Sequence, residues 1–481
     1  MPATSMSTAA LDAIRAAVGP GGWLDQPGDL EPFLRDFRGL YRGSSPLVVL
    51  PASTREVAAV MRICHEHGIG VVPQGGNTSY CGGATPDDSG SQIVLALRRL
   101  NRIRDVSPLD YTITVEAGCV LAQLQAAAEA HELLFPLSLG SEGSCQIGGN
   151  LATNAGGTAV LRYGMMRDLV LGLEVVLADG RVLDGLKTLR KDNSGYDLKN
   201  LFIGSEGTLG IITAASLKLF PKPADVATAL AAVRDPAAAI ELLAALRAAS
   251  GDGVTTFELI PRLAVDLTTR HIDGVSDPFE KHYDWYVLIE LTSSRSQSGL
   301  TATLEECLAA ESSRGGVPDA VLAANLRQRE SMWRLRETIP EAQRHAGASI
   351  KHDISVPISS LADFIQRGAF WIAARVPEGE LIAYGHLGDG NLHFNIQQRP
   401  GTDAEAFLAR SDTIHRAIHD LVAEYRGSFS AEHGIGQLKL DELTRYKDPV
   451  AVEVMRELKR ALDPKGILNP GKVLRSDFRS S

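Results

Sequence analysis

His386 and His393, set in I-A-Y-G-H-L-G-D-G-N-L-H-F-N-I (382–396), are the residues whose types and spacing most directly suggest chemistry. Two neutral imidazoles side by side, with the amides of Asn391 and Asn395 nearby, suit a borderline divalent cation such as zinc. The plainer alternative is two ordinary histidines on a hairpin. The elements that must position them are legible. Asp389-Gly390, flanked by alternating residues, is a strong hairpin signal. A period of two puts Asn391, His393 and Asn395 on one strand face, and Leu392, Phe394 and Ile396 on the other. Ile382, Tyr384 and His386 share a face before the turn. The spacing does not suit a straight strand, so a bend at 388–390 must bring the rings together.

G-S-F-S-A-E-H-G-I-G (427–436) reads as a short strand that delivers Glu432 and His433 to a glycine turn. Glu432 could be a third metal ligand. His433 would then be free for proton transfer, since imidazole titrates near working pH. Segment 324–347 reads as helical, with Pro340 inside it and Met332, Arg336 and Pro340 on one stripe. S-I-K-H-D-I-S-V-P (349–357) alternates as a strand, with Lys351, Asp353 and Ser355 on one face. An isolated Arg or Lys is usually a surface charge. In a pocket Arg holds carboxylate through a planar fork and Lys as a point charge. The same histidines and glutamate would also suit a metal-dependent hydrolase working through activated water.

The chain of 481 residues is too long for one core, and two or three domains are expected. A net charge of −10 argues against nucleic acid as the main partner. Five cysteines without a C-x-x-C fit neither a disulfide framework nor a thiolate zinc site. They point to a reducing compartment, and a cytoplasmic protein is expected. The first residues do not read as a secretory signal, and no apolar run approaches ~18 residues, so no transmembrane segment is expected.

Three loops dense in small polar residues stand out: P-Q-G-G-N-T-S-Y-C-G-G (73–83), G-S-C-Q-I-G-G-N-L-A-T-N-A-G-G (143–157) and F-I-G-S-E-G-T-L-G-I-I-T (202–213). Such loops can turn backbone N–H groups inward and let the main chain approach an anion. They are neither a G-x-G-x-x-G after a strand nor a Walker sequence. With R-Y-G-M-M-R-D-L-V-L-G-L-E-V-V-L-A-D-G they resemble the flavin-binding half of the vanillyl-alcohol oxidase/p-cresol methylhydroxylase superfamily. The resemblance implies FAD. Pro73, Gly75, Gly76, Asn77, Thr78 and Ser79 would form the pyrophosphate loop. Ser141, Gly148, Gly149, Asn150, Thr153, Asn154, Gly156 and Gly157 would line the cofactor. Glu206, Gly207, Gly210, Ile211 and Ile212 would meet its adenosine and ribityl parts, and Asn469 would join them from the C-terminal segment. No histidine lies in the first loop, so the FAD is expected to be non-covalent.

The second half narrows the resemblance. W-x-x-R-E, I-K-H-D-I-S-V-P, G-H-L-G-D-G-N-L-H-F-N, A-E-H-G-I-G and L-D-P-K-G-I-L-N-P-G-K look like the FAD-linked D-2-hydroxyacid dehydrogenases. The D-2-hydroxyglutarate dehydrogenase branch is the nearest, with the D-lactate dehydrogenases close by. The match runs from about residue 45 to 473. It implies His386, His393 and Glu432 as ligands of a divalent metal, zinc by ligand type. It places Asn395 and His433 at the reacting hydroxy acid, with His433 the catalytic base, and Arg336 and Lys351 at the far carboxylate of a dicarboxylic substrate. One departure is Pro340, where that branch has a threonine. It leaves the choice open between D-2-hydroxyglutarate and D-malate, with a D-lactate/glycolate-type enzyme as the alternative. The electron acceptor would be an electron-transfer flavoprotein or a quinone. A homodimer is one expectation.

The implied fold is α+β. It comprises an N-terminal helical segment (1–44) and a two-part FAD-binding domain (45–223). A cap domain (224–458) carries the metal site on an antiparallel sheet. A C-terminal segment (459–481) returns to the flavin.

Overall fold

The structure is a computed structural model that describes residues 6–475. The chain forms two compact units. The first takes in the residues up to 156, 165–222 and those from 432 onward; the second takes in 157–164 and 223–431. Set beside the linear division expected from the sequence, two segments change place: 157–164 joins the second unit, and 432–458 joins the first.

The first unit has two main sheets. One runs Trp23–Leu24, Val48–Val49, Gln92–Ala96, Gly70–Gln74, with the last three strands parallel. Its central strand is buried along its whole length, which a parallel strand covered on both faces requires. Helix Thr54–His67 covers it. Ser53 caps the helix by accepting from Glu56 N at 3.2 Å, and Gly68 ends it in the left-handed region at φ 67°. Val57, Val60, Met61 and Cys64 fall at helical spacing and pack with Leu47, Ile93 and Leu95. The other sheet is antiparallel: Ile103–Ser107, Thr112–Glu116, Ile211–Lys218, Val170–Val176, Val182–Gly185. The chain returns to the first sheet after helix Pro449–Leu462. Val71 N donates to Ile467 O at 2.7 Å, and Asn469 N to Val71 O at 2.8 Å. Buried Lys459 fixes this return. Its Nζ donates to Thr208 O, Leu468 O and Asp463 Oδ2 at 2.7, 2.7 and 2.6 Å.

The second unit is built on an eight-stranded antiparallel sheet. The order is Asp319–Leu322, Asp225–Val233, Trp285–Ser293, Val254–Pro261, Gly379–His386, Asn391–Gln398, Ser349–Ile350, with Asp353–Ser355 also pairing Asn391–Gln398. Both faces are covered, and strand periodicity separates two cores. Val287, Ile289 and Leu291 point into one, with Leu242, Leu304, Phe364, Phe394 and Ile418. Tyr286 and Leu288 point into the other, with Val265, Met332, Leu335, Ile339, Ile382 and Tyr384.

Several local expectations change. D-P-A-A-A-I-E-L-L-A-A-L-R-A-A-S forms helix Pro236–Ala249, but the buried strand Asp225–Val233 precedes it. Alanine has no strand preference, but this strand lies between two partners. Segment 324–347 is two helices, Leu326–Glu337 and Ile339–His345, with Pro340 in the first turn of the second, where its missing N–H costs nothing. The break turns Pro340 outward, so it leaves the stripe on which Met332 and Arg336 are buried. Segment 349–357 is interrupted at 351–352. Lys351 is exposed and Asp353 buried, so they do not share a face as expected. The second glycine-rich loop contains the short helix Ile147–Ala152. The segment before Glu432 makes one bridge, Ser355 to Ser428, rather than a strand.

Candidate functional site

The histidine hairpin forms by its own rules. Strands Gly379–His386 and Asn391–Gln398 pair with Tyr384 opposite His393 and Ile382 opposite Asn395. The bend between them is a single 3-10 turn, Leu387–Asp389, closed by Gly390 at φ 86°. A Cβ on Gly390 would lie 2.3 Å from Val356 O, so both conformation and space demand glycine there. The bend brings the rings of His386 and His393 to 5.6 Å between centroids, at 72°.

The next strand supplies a residue that the sequence reading passed over. Glu258, in V-T-T-F-E-L-I-P, lies opposite His386 in register and is fully buried. Its Oε1 is 2.6 Å from His386 Nδ1, and its Oε2 accepts from Arg336 Nε at 2.6 Å. Burial by itself would raise this carboxyl, but the Arg336 guanidinium and the His386 imidazole outweigh it and hold it at about 2. An ionised carboxylate on Nδ1 fixes that nitrogen as the N–H donor. It leaves Nε2 with its lone pair and makes the ring a better ligand. Arg336 is itself buried and lies over the Tyr384 ring, 4.9 Å from its centroid. The signal for Glu258 was there: one ionisable residue inside an apolar strand is costly without a partner.

Asn395 is on the same sheet face and almost fully buried. It donates to Gln343 Oε1 at 3.1 Å and accepts from His352 N at 3.2 Å. Gln343 is also fully buried, and its Nε2 has no hydrogen-bond partner among the described residues. An orphaned donor on the residue that Asn395 bonds marks where a polar ligand would be welcome. Of the expected substrate residues, Arg336 and Asn395 thus share one face with His386 and His393, whereas Lys351 is exposed at a strand break.

In the first unit the expected cofactor residues fall into two groups. Pro73 lies in the parallel strand Gly70–Gln74, one residue before its end, and Ile211 and Ile212 begin the buried strand Ile211–Lys218. A Cβ on Gly76, Gly148, Gly207 or Gly210 would meet protein atoms at 2.1–2.7 Å, so close packing explains these glycines. Gly149 faces open space, and Gly75 has only ordinary contacts from 3.5 Å. Beside them Gln146 Oε1 is buried without a hydrogen-bond partner among the described residues, and so is Asn469 Oδ1. Open glycines and orphaned polar atoms fit a bound dinucleotide. Asn77 and Asn154 take left-handed backbone at φ 54° and 51°. Their side chains brace the loops, Asn77 donating to Arg35 O at 2.8 Å and Asn154 accepting from Arg167 N at 2.9 Å. Thr153 donates to Gly149 O at 3.0 Å, Asn150 Nδ2 to Cys145 Sγ at 3.6 Å, and Ser79 Oγ accepts from Cys81 N at 3.4 Å. Ser141 O closes the turn before Cys145, at 2.8 Å from its N. Thr78 lies in the first loop and is half-buried. Gly156 is in the first unit and Gly157 in the second.

Glu206, expected against the adenosine or ribityl part, has a different use. Its two carboxylate oxygens accept from Ile435 N at 2.7 Å and Gly436 N at 2.8 Å. It thereby clamps the turn that follows Glu432 and His433. Asn469 Nδ2 adds bonds to Gly83 O at 2.9 Å and Glu206 O at 2.7 Å. The His433 ring packs edge-on against Tyr80, 4.7 Å between centroids, at the end of the first glycine loop. Glu432 and His433 belong to the first unit, and His386 and His393 to the second.

Residues 45–185 match the family described as an FAD binding domain, and 222–473 match the C-terminal domain of FAD linked oxidases. The mitochondrial D-2-hydroxyglutarate dehydrogenase of Arabidopsis thaliana is 41% identical over 447 residues, covering 92% of this chain and 78% of that protein. The D-2-hydroxyglutarate dehydrogenase of Stutzerimonas stutzeri is 34% identical over 468 residues, covering 97% and 98%. Among solved structures, p-cresol methylhydroxylase with substrate bound has a TM-score of 0.74 at 17% identity, covering 97% of each chain, which shows a shared fold.

Proposed function

The chain belongs to the FAD-linked oxidase family, with D-2-hydroxyglutarate dehydrogenases as relatives over nearly its whole length, and we propose that it oxidises a dicarboxylic D-2-hydroxy acid to the 2-oxo acid. D-2-hydroxyglutarate is the preferred substrate, with D-malate the nearest competitor. The observation that carries the reading is the sheet face on which Glu258 orients His386 beside His393, under Arg336 and next to Asn395.

The glycine loops would hold FAD non-covalently, and when bound it would supply hydride-accepting chemistry. A borderline divalent cation, zinc by ligand type, would be held by His386, His393 and Glu432 and would supply Lewis acidity. The protein's own groups do the rest. A ring nitrogen of His433 takes the hydroxyl proton as the carbonyl forms. Asn395 holds the reacting end of the acid. The Arg336 guanidinium meets the far carboxylate, and Lys351 adds a point charge. Pro340 faces outward, so the position that the related branch fills with threonine lies off the stripe that carries Arg336. We further propose an electron-transfer flavoprotein or quinone as acceptor, a reducing compartment such as the cytoplasm, and a homodimer. Among the described residues, no helix is long and apolar enough to cross a membrane.

The test is dye reduction by the flavin-loaded protein with D- and L-hydroxy acids, before and after chelation. D-2-hydroxyglutarate should give the highest kcat/KM, its L-enantiomer none, and chelation should abolish turnover. A purified protein without flavin, or a higher kcat/KM with D-lactate, would overturn the reading. Lys351→Ala should raise KM for the dicarboxylate more than for D-lactate.

A further inference from the structure

We propose that His352, His415 and His419 form a second metal site, distinct from the hairpin histidines, that takes a zinc-type divalent cation and fastens helix Ser411–Glu424 to the central hairpin. One ligand atom from each of the three side chains lies within 4.8 Å of the other two. His415 and His419 are four residues apart on one helix, so they project from the same face. His352 comes from the break in 349–357 that leaves Lys351 exposed. His352 and His419 are buried, and His415 is half-buried and gives solvent a way in.

The tautomers favour ligation. His352 Nδ1 is 2.8 Å from Phe394 O, and a carbonyl can only accept, so Nδ1 carries the proton and Nε2 a lone pair. That lone pair faces His415 Nδ1 at 3.0 Å. A nitrogen set around a tetrahedral zinc would be about 3.3 Å apart, given bonds of ~2.0–2.1 Å. A small opening of the pair therefore replaces one N–H···N hydrogen bond with two bonds to the cation. His415 needs only to move its proton to the other ring nitrogen. A carbonyl behind a ligating imidazole is the usual outer partner of a metal-bound histidine. The converging atoms are all imidazole nitrogens. That selects zinc, nickel, cobalt or copper over calcium or magnesium, which require oxygen.

The position gives the site a structural role. Phe394, whose carbonyl orients His352, directly follows His393 on strand Asn391–Gln398. The next residue, Asn395, accepts from His352 N. A cation on the three histidines would pin the helix to the strand that carries His393 and Asn395.

The test is a cobalt(II) titration of the chelator-stripped, flavin-loaded protein, read by visible absorbance and by metal content after dialysis. Wild type should bind one equivalent more than His415→Gln/His419→Gln, in which that class of site weakens by more than the ~10–100-fold that loss of an outer partner costs. In His393→Asn, which spares the three histidines, zinc should still raise Tm. Adding His415→Gln/His419→Gln to it should remove that shift. Equal stoichiometry and affinity in wild type and His415→Gln/His419→Gln would overturn the site. So would a His393→Asn protein whose Tm does not respond to zinc, which decides the matter even if the multiple variants fail to fold.

Discussion

Glu206 in the first unit and Glu258 in the second are held in opposite ways. Glu206 is clamped by two neutral backbone donors, Ile435 N and Gly436 N. Desolvation dominates there and raises its carboxyl above the ordinary range, with the two N–H groups and Lys439 only partly offsetting it. Glu258 is more deeply buried, yet its carboxyl is held at about 2, because desolvation is overcome by Arg336 and His386. Depth of burial therefore does not rank the two. The charge of the partner does, since a cation compensates a buried carboxylate more fully than dipoles do. The first unit positions its glutamate as a clamp on a loop. The second uses its glutamate as the anion that keeps a guanidinium and an imidazole in place.

The sharpest way to break this contrast is Glu258→Gln. It leaves Arg336 as a buried cation without its carboxylate and His386 without its orienting anion. Removing one member of a buried ion pair costs about 3–5 kcal/mol. We expect urea denaturation to show a loss of that size and turnover to fall with it. Glu258→Gln/Arg336→Met should recover much of the stability but not the activity, because the buried charge is gone while the His386 anion is still missing. A double variant no more stable than Glu258→Gln would show that packing, not charge, sets the cost.

The next effect is on the loop that Glu206 clamps. His433→Asn should lower kcat at least ~100-fold, the low end for loss of a general base. A variant retaining near-normal turnover across a pH series would remove His433 from the chemistry.

The contrast also explains what could be read in the chain. The hairpin of His386 and His393 was legible because it is contiguous, carries its own Asp-Gly turn and keeps a period of two on each side of it. The glycine loops were legible for a similar reason: each is one short stretch of composition. Glu258 was not, because it is 128 residues from His386 and only sheet register joins them. The same holds for His352, 63 residues from His415. The i,i+4 pair His415/His419 was in plain view, but two histidines on a helix suggest little until a third is placed. Pro340 was misplaced because helical period was counted across a break at Thr338. Strand Asp225–Val233 has no local signal, because its alanines carry no preference and its neighbours in the sheet decide its form. The role of Glu206 shows a further limit of spacing: the motif located the residue, but only the folded loop shows that its oxygens serve Ile435 and Gly436.

Glu206→Gln should be milder than Glu258→Gln. The amide keeps one acceptor and turns its NH₂ toward the other backbone N–H, so one donor loses its partner. That is worth about 1–3 kcal/mol. Because the turn follows His433 directly, kcat should fall with little change in KM, and flavin content should stay unchanged. A variant with normal kcat would reduce the clamp to a stability device.

The smallest effect tests the sign of the raised carboxyl. In the native state Glu206 keeps its proton to higher pH than in the unfolded chain. Between its unfolded pKa of about 4.5 and its higher native value, the native state therefore binds more protons, and its stability falls as pH rises. Above that window the cost of holding the charge is fully present; below it the cost is absent. Glutamine does not titrate. The stability of wild type relative to Glu206→Gln should thus improve as pH is lowered from about 8 toward about 5, as measured by urea denaturation at each pH. A carboxyl held low by a cation, as Glu258 is, would move the comparison the other way at acid pH. A gap that narrowed on acidification would mean that Lys439 or another cation governs Glu206, and the two glutamates would then be held in the same way.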